Sequence, residues 1–306
     1  MLTSVEPLTE TRFRAMGTDV HVALVGGTPD LVHLAEQRIH ELELRWSRFL
    51  DTSEISCLNR ALGRPVIVSA DTFTLVSRAV TAWQATGGRF DPTVGAALAD
   101  HGYDRDFADV ARTISPAAGS VRPAPGLADI ELIADINAIT LPDGVTIDPG
   151  GIGKGLAADL TAELLLASGA DGALVNLGGD LRALGRGPSS EGWAVTVDDP
   201  IHTGHELLRL AISEGAVATS SRLLRRWQTT EGEAHHLIDP STGQPAQTDV
   251  VAVTVVAGEA WWAEALTKTL FLAGLAGLHE INDLHAVVVT ADGLRHATPD
   301  LEATLR

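Results

Sequence analysis

The apolar residues of this 306-residue chain fall in short runs whose period keeps changing, and no other feature restricts the fold as much. Val20-His21-Val22-Ala23-Leu24-Val25 alternates as a strand does and stops at Gly26-Gly27. From Asp30, the positions Leu31, Leu34, Ile39 and Leu42 then repeat at helical spacing. The switch recurs. Helices are expected from Ala70-Asp71 to Ala85, stopping at Gly87-Gly88, from Lys154 to Leu166 and from Glu259 to Leu272. Short strands are expected at 130–133, 138–141, 145–147 and 173–176, on both sides of Asp199-Pro200, and at 250–256 and 285–290. Val287 to His296 reads as a hairpin across Ala291-Asp292-Gly293. Hairpins mingled with strand–helix–strand passages predict one α+β domain over residues 1–306, with mixed and antiparallel sheets carrying packed helices. The Pro- and Gly-rich stretch near 115–127, centred on Ala117 to Gly126, lacks periodicity and is expected to be a surface loop.

Aromatic residues make up 4% of the chain, so the core must be built from Ala, Val, Leu and Ile. With 22 Lys+Arg against 40 Asp+Glu the net charge is −18. That excludes nucleic acid as a natural partner, and an anionic membrane surface with it, because phosphate binding needs a dense basic face. Cys57 stands alone, which rules out an internal disulfide and a Cys-based zinc site. No apolar run approaches the ~20 residues of a membrane span. MLTSVEPLTETRF lacks the basic start and apolar stretch of a secretory signal, so a cytoplasmic protein is expected.

Four segments carry chemistry, each with a plainer reading beside it. In Thr146-Ile147-Asp148-Pro149-Gly150-Gly151-Ile152-Gly153-Lys154-Gly155-Leu156-Ala157 a strand enters a Gly-rich turn with a Lys, and the turn feeds a helix. Unpaired helix-start amides beside a cation make a phosphate cradle, though the spacing is not that of a P-loop; a tight strand–helix turn is the alternative. The Gly178-Gly179 pair in Asn176-Leu177-Gly178-Gly179-Asp180-Leu181 lets the backbone pass close to a ligand or, more simply, to another strand. His235-His236-Leu237-Ile238-Asp239-Pro240 offers an imidazole as a general base or as a turn cap. In an extended chain the two histidines face opposite ways and cannot both serve one site. Gly87-Gly88-Arg89-Phe90-Asp91-Pro92 either presents a ring to a planar ligand or ends a helix and turns.

Together with Ala15-Met16-Gly17-Thr18, Ser53 to Asn59, Ala218-Thr219-Ser220 and Ala263 to Phe271, these segments stand in the order and spacing of one family. The sequence resembles the ApbE-type FAD:protein FMN transferases, or flavin transferases, over almost its whole length. The resemblance implies an α+β fold related to the T-fold, FAD as substrate, and transfer of FMN to a Thr or Ser of an acceptor protein, leaving AMP. It places Met16 and Phe49 at the flavin or adenine, and Phe90, Asp91 and Pro92 along another part of FAD. Gly150, Gly151 and Lys154 fall at the diphosphate, and Thr219 and Ile238 near the cofactor. His236 falls as the base that takes the acceptor proton.

The metal site departs from the family. Members carry an Asp and a Thr on one helix that bind Mg²⁺ together with a backbone carbonyl matched here by Gly153. This chain has Glu264 for the Asp and Lys268 for the Thr, four residues apart on one helical face. Three readings stay open. The Lys268 ammonium replaces the ion and itself acts at the diphosphate; Glu264 still holds Mg²⁺, with Thr267 or Thr269 giving a hydroxyl; or the pair is a surface ion pair in a protein without transferase activity. The alternatives to transfer are therefore an FAD pyrophosphatase, giving FMN and AMP, and a non-catalytic FAD-binding protein. Ser221 replaces a common Gly. Arg222, Arg225 and Arg226 form a basic run expected on a solvated helix face, the alternative being a patch that attracts the anionic cofactor or an acidic acceptor protein. Asp143-Gly144-Val145-Thr146 begins like the modified acceptor motif, Asp-Gly-x-Thr/Ser-Gly-x-Thr, but continues with Ile147, so self-modification is not expected.

Overall fold

In the computed structural model, which describes residues 8–116, 121–281 and 283–305, strand β1 (Thr9–Ala15) pairs antiparallel with β2 (Thr18–Val25). The turn between them, Met16-Gly17, has φ of +50° and +67°. Helix α1 (Pro29–Trp46) follows, burying Ala35, Ile39, Leu42 and Trp46 at intervals of three and four, as its periodicity predicts.

The chain divides into two compact units: one of Met1–Glu41, Lys154–Ser221 and Asp249–Arg306, the other of Leu42–Gly153 and Arg222–Thr248. The first is built on an eight-stranded sheet. Its further strands are β3 (Gly172–Leu177), β4 (Asp180–Gly185), β7 (Gly215–Ser221), β8 (Val250–Ala257), β9 (His285–Thr290) and β10 (Arg295–Ala297), in spatial order β1-β2-β3-β4-β7-β8-β9-β10. A separate hairpin, β5 (Trp193–Asp198) and β6 (Glu206–Ile212), brackets Asp199-Pro200. Through Trp193, Val195 and Ile212 it covers Ala23, Leu174, Leu181 and Val217. Helices α2 (Gly153–Ala167) and α3 (Ala260–Ala273) belong to this unit from Lys154 onward, and α3 packs on β7 and β8.

Every strand ladder among the described residues is antiparallel, the expected β9–β10 hairpin included. The chain thus reverses even across α3, which joins the paired neighbours β8 and β9.

The second unit holds the helix Ala70–Ala85, capped by the Ser69 hydroxyl, the helix Glu54–Asn59, capped by Ser53, and a small sheet of 66–67, 138–140 and 131–133. Two expectations fail here. The segment 145–147 is extended but pairs with no strand. Asn59 takes the partner's place, its amide donating to the Ile147 carbonyl at 2.9 Å and accepting from the Ile147 N–H at 2.7 Å. Nor do Arg222, Arg225 and Arg226 lie on a helix. They lead through a turn into the hairpin Arg226–Thr229/Gly232–His235, and Trp227 there is buried against Tyr103, Leu98 and Ile238. Of the expected surface loop, residues 121–126 are irregular and 117–120 lie outside the described residues. Among the described residues, no helix is long and apolar enough to cross a membrane.

Candidate functional site

In the first unit the site begins where α2 and α3 touch. A Cβ on Gly155 would lie 2.4 Å from the Ala260 carbonyl oxygen, so only hydrogen fits there. One turn on, buried Asp159 accepts the Ala260 and Trp261 N–H groups, both at 2.9 Å, and so caps α3 from the neighbouring helix. Burial pushes the Asp159 pKa up to about 6.

This close packing places Glu264 of α3, fully buried, against the start of α2. Its Oε2 accepts the Gly155 N–H at 2.8 Å. Its Oε1 accepts from the Lys154 ammonium at 2.5 Å and from Lys268 at 3.2 Å. Lys154 also pairs with Asp180, the first residue of β4. Asp180 follows the Gly178-Gly179 turn, whose φ values of +63° and +99° suit glycine. A Cβ on Gly178 would meet the Thr18 hydroxyl at 2.1 Å, so Gly178 serves close strand approach, whereas a Cβ on Gly179 would meet nothing within 4 Å and its glycine answers to φ alone.

Burial alone would raise the Glu264 pKa, but Lys154 and Lys268 hold it down to about 2. Burial, and then the Glu264 charge, push Asp180 up, and burial pulls Lys268 down. Asp180 Oδ1 is buried with no hydrogen-bond partner among the described residues. With Glu264 wholly inaccessible, this is not the surface ion pair that the i, i+4 spacing left open.

Five further predicted positions lie in this unit. The Thr267 hydroxyl donates to the Glu264 carbonyl at 2.6 Å and shares a bond with Ser220, and Thr269 donates to the Ala265 carbonyl. Thr219, next to Ser220 on β7, points to the opposite face of the sheet and shares a hydroxyl–hydroxyl bond with Thr254 at 2.9 Å. Met16 sits in the β1–β2 turn with positive φ, a conformation that costs a non-glycine residue about 1–2 kcal/mol. Ser221 is the buried last residue of β7.

The second unit gathers the other predicted residues along one chain of contacts. Asp91, with Pro92 directly after it, accepts from the Thr93 N–H and hydroxyl and from Trp83 Nε1, and burial raises its pKa. Its side chain therefore shapes the turn after buried Phe90. The Pro92 carbonyl accepts the Asp148 N–H at 2.7 Å. Asp148 in turn accepts the Gly150 N–H at 2.8 Å and pairs with Arg48 Nε at 3.1 Å, fixing the Pro149–Gly151 turn, which is capped at Ile152. The Arg48 guanidinium lies 4.3 Å from the Phe49 ring centroid and 4.7 Å from that of Tyr103. Phe49 is 40% exposed, which leaves ring surface for stacking. Arg225 reaches the Tyr103 hydroxyl, and the Arg225 carbonyl lies 3.2 Å from His236 Nδ1. A carbonyl can only accept, so Nδ1 carries the proton and the His236 lone pair is on Nε2. His235 turns instead to the Ala246 carbonyl, as adjacent residues of an extended chain must, and burial lowers its pKa. Ile238 is buried in a short pairing with Pro245.

Sequence reasoning did not nominate Asp180, Gly155, Arg48, Tyr103 or Asp148. Asp180 and Asp148 each adjoin a Gly-rich turn that was singled out, and Arg48 adjoins Phe49, so proximity in sequence was the available signal.

The donor set does not suit Mg²⁺. A hard cation asks for several oxygens in near-octahedral array, yet both Glu264 oxygens are already engaged and both threonine hydroxyls bond to carbonyls of their own helix. Asp180 Oδ1 and the Gly153 carbonyl would supply at most two oxygens, short of that array. Among the described residues no cluster of three or more His, Cys, Asp or Glu is placed to hold a metal.

This antiparallel α+β chain thus holds paired ammoniums at a Gly-rich helix start in one unit and an exposed aromatic ring beside Arg48 in the other. The chain belongs to the ApbE family, whose sequence profile matches residues 16–289. A relative from Treponema pallidum named FAD:protein FMN transferase is 32% identical over 261 residues, 79% of this chain and 72% of that one. One from Klebsiella pneumoniae with the same name is 27% identical, covering 88% of each chain. The crystal structure of the ApbE protein from Thermotoga maritima superposes with a TM-score of 0.84 at 25% identity, over 98% of this chain and all of the other. The flavin transferase ApbE from Vibrio cholerae shares the fold, with a TM-score of 0.77 at 22% identity over 98% of this chain and all of that one.

Proposed function

We propose that this chain transfers FMN from FAD to a Thr or Ser hydroxyl of an acceptor protein and releases AMP. The observation that carries the reading is the pair of ammoniums at the start of α2, in a chain of this family: Lys154 and Lys268 are held by a fully buried carboxylate and lie nearer the surface than it does. Displacement at phosphorus asks the protein mainly for positioning and for positive charge where negative charge gathers.

In this reading Lys154, with the Gly150-Gly151 turn, attends the diphosphate. The exposed Phe49 ring, backed by Arg48, and Met16 attend the flavin or adenine ring. Phe90 and Pro92 line the cofactor with Asp91 fixing their turn, and Thr219 and Ile238 lie near it. His236 Nε2 takes the proton from the acceptor hydroxyl as its oxygen bonds to the FMN phosphorus. The bond from that phosphorus to AMP breaks, and AMP leaves with the electron pair. The family span of 16–289 takes in residues of both units, which fits the expectation of one functional domain over the chain.

The test is incubation with FAD and an acceptor domain carrying Asp-Gly-x-Thr/Ser-Gly-x-Thr. Flavin fluorescence that stays with the acceptor through a denaturing gel is expected. AMP released equally well without acceptor would mark a pyrophosphatase, and FAD bound without turnover a binding protein.

A further inference from the structure

We infer that this chain performs its diphosphate chemistry without a divalent ion, the ammonium of Lys268, together with that of Lys154, standing in the ion's place; the inference rests on the FAD reading above. Three observations carry it. First, both oxygens of the carboxylate at the family's metal position are engaged, which leaves Asp180 Oδ1 as the one unpartnered carboxylate oxygen of the cluster among the described residues: Glu264 Oε1 lies between two ammoniums at 2.5 and 3.2 Å, and Oε2 accepts the Gly155 N–H.

Second, the charges are layered. The Glu264 and Asp180 side chains are 0 and 3% exposed, whereas those of Lys154 and Lys268 are 17 and 18% exposed. The four groups can sum to zero and still turn a positive face outward, and two fixed cations in a poorly screened site act strongly on a nearby anion.

Third, Lys268 has donors in reserve. Among the described residues Glu264 is its sole hydrogen-bond partner, so two of its three N–H groups remain for a ligand. Lysine binds phosphate well as a point charge. During transfer these N–H groups offset the charge gathering on AMP as its bond to the FMN phosphorus breaks. The acceptor proton goes to His236, and no further reactant enters.

The experiment uses the full chain, treated with EDTA and dialysed. MnCl₂ is titrated with and without FAD, and bound Mn²⁺ is read by electron paramagnetic resonance. No stoichiometric Mn²⁺ binding is expected, and one tightly bound Mn²⁺ per chain would overturn the inference. FAD affinity, read by fluorescence, should be the same in EDTA and in MgCl₂; a gain of about tenfold or more with Mg²⁺ would overturn it. Lys268→Met should weaken FAD binding in EDTA by about tenfold or more, with Lys268→Arg keeping most of the affinity. Unaltered binding by Lys268→Met would contradict the assigned role. If that variant fails to fold, the two wild-type measurements still decide. A wild-type chain that binds no FAD would sink the FAD reading and this inference with it, whereas one tightly bound Mn²⁺ in a chain that binds FAD would overturn this inference alone.

Discussion

His236 is the residue at which chemistry and binding should come apart. Its Nδ1 is committed to the Arg225 carbonyl, so removal of the ring takes away the Nε2 lone pair and leaves the Arg48, Phe49 and Tyr103 cluster in place. His236→Ala is expected to slow acceptor flavinylation by about 10²–10⁴-fold and to leave FAD affinity nearly unchanged. Single-turnover labelling and a fluorescence titration read the two quantities separately, and parallel losses would remove the base assignment. Residues of this kind were legible because short motifs carry them: Lys154 in its Gly-rich turn, His236 before Ile238-Asp239, Glu264 and Lys268 one helical turn apart. Their burial and partners were not legible. The i, i+4 spacing fits a surface pair and a buried one equally well. That Glu264 meets Lys154, 110 residues away, and that Asp180 completes the set, follow only from the packing of α2 on α3 and from the Gly178-Gly179 turn.

The contact between α2 and α3 sets the positions of all four charges, and two substitutions probe it. Intrinsic propensity says that Gly155→Ala should stabilise a helix by about 1 kcal/mol. The Ala260 carbonyl 2.4 Å from the new Cβ reverses the sign, and a loss of about 1–3 kcal/mol is expected from urea midpoints. Asp159 gives a pH signature. Its pKa is raised from 3.8 to about 6 in the folded state, so the folded state binds the proton more tightly. Stability from this group is therefore complete below the unfolded value and is lost as pH rises through the folded one. Between pH 5.5 and 7.5 the wild type should lose about 1 kcal/mol relative to Asp159→Asn, again by urea midpoints. A gain over that interval would contradict the assignment.

Elements with strong periodicity were readable in advance: the helix Ala70–Ala85 and the strand His285–Thr290 fall where their patterns put them. The segment 145–147 was misread because its apolar alternation is genuine. The hydrogen bonds that would have made it a strand go to Asn59, a side chain 88 residues away. Periodicity reports which residues are buried, not which group pairs their backbone.

At the scale of the whole molecule, a chain of net charge −18 must admit an anionic dinucleotide. Beyond a Debye length of about 10 Å at 0.1 M salt, the ligand meets the net charge and not the local ammoniums. FAD association should therefore quicken a few-fold as salt rises from about 10 to 150 mM, by screening of that repulsion. Stopped-flow fluorescence reads the rate, and slowing with salt would mean that the ammonium face already steers the ligand from afar. The acidity was plain in the sequence and argued against nucleic acid, but the candidate for a local offset, the ammoniums of Lys154 and Lys268 outside buried Glu264 and Asp180, emerged only from the layered burial of the four groups. The most direct check on the account as a whole is the intact mass of an acceptor domain carrying the Asp-Gly-x-Thr/Ser-Gly-x-Thr motif after incubation with FAD and this chain. A gain equal to FMN less one water, lost when the motif's hydroxyl residues are replaced by Ala, is the predicted result. An acceptor of unchanged mass, in a sample where the chain has bound FAD, would contradict it.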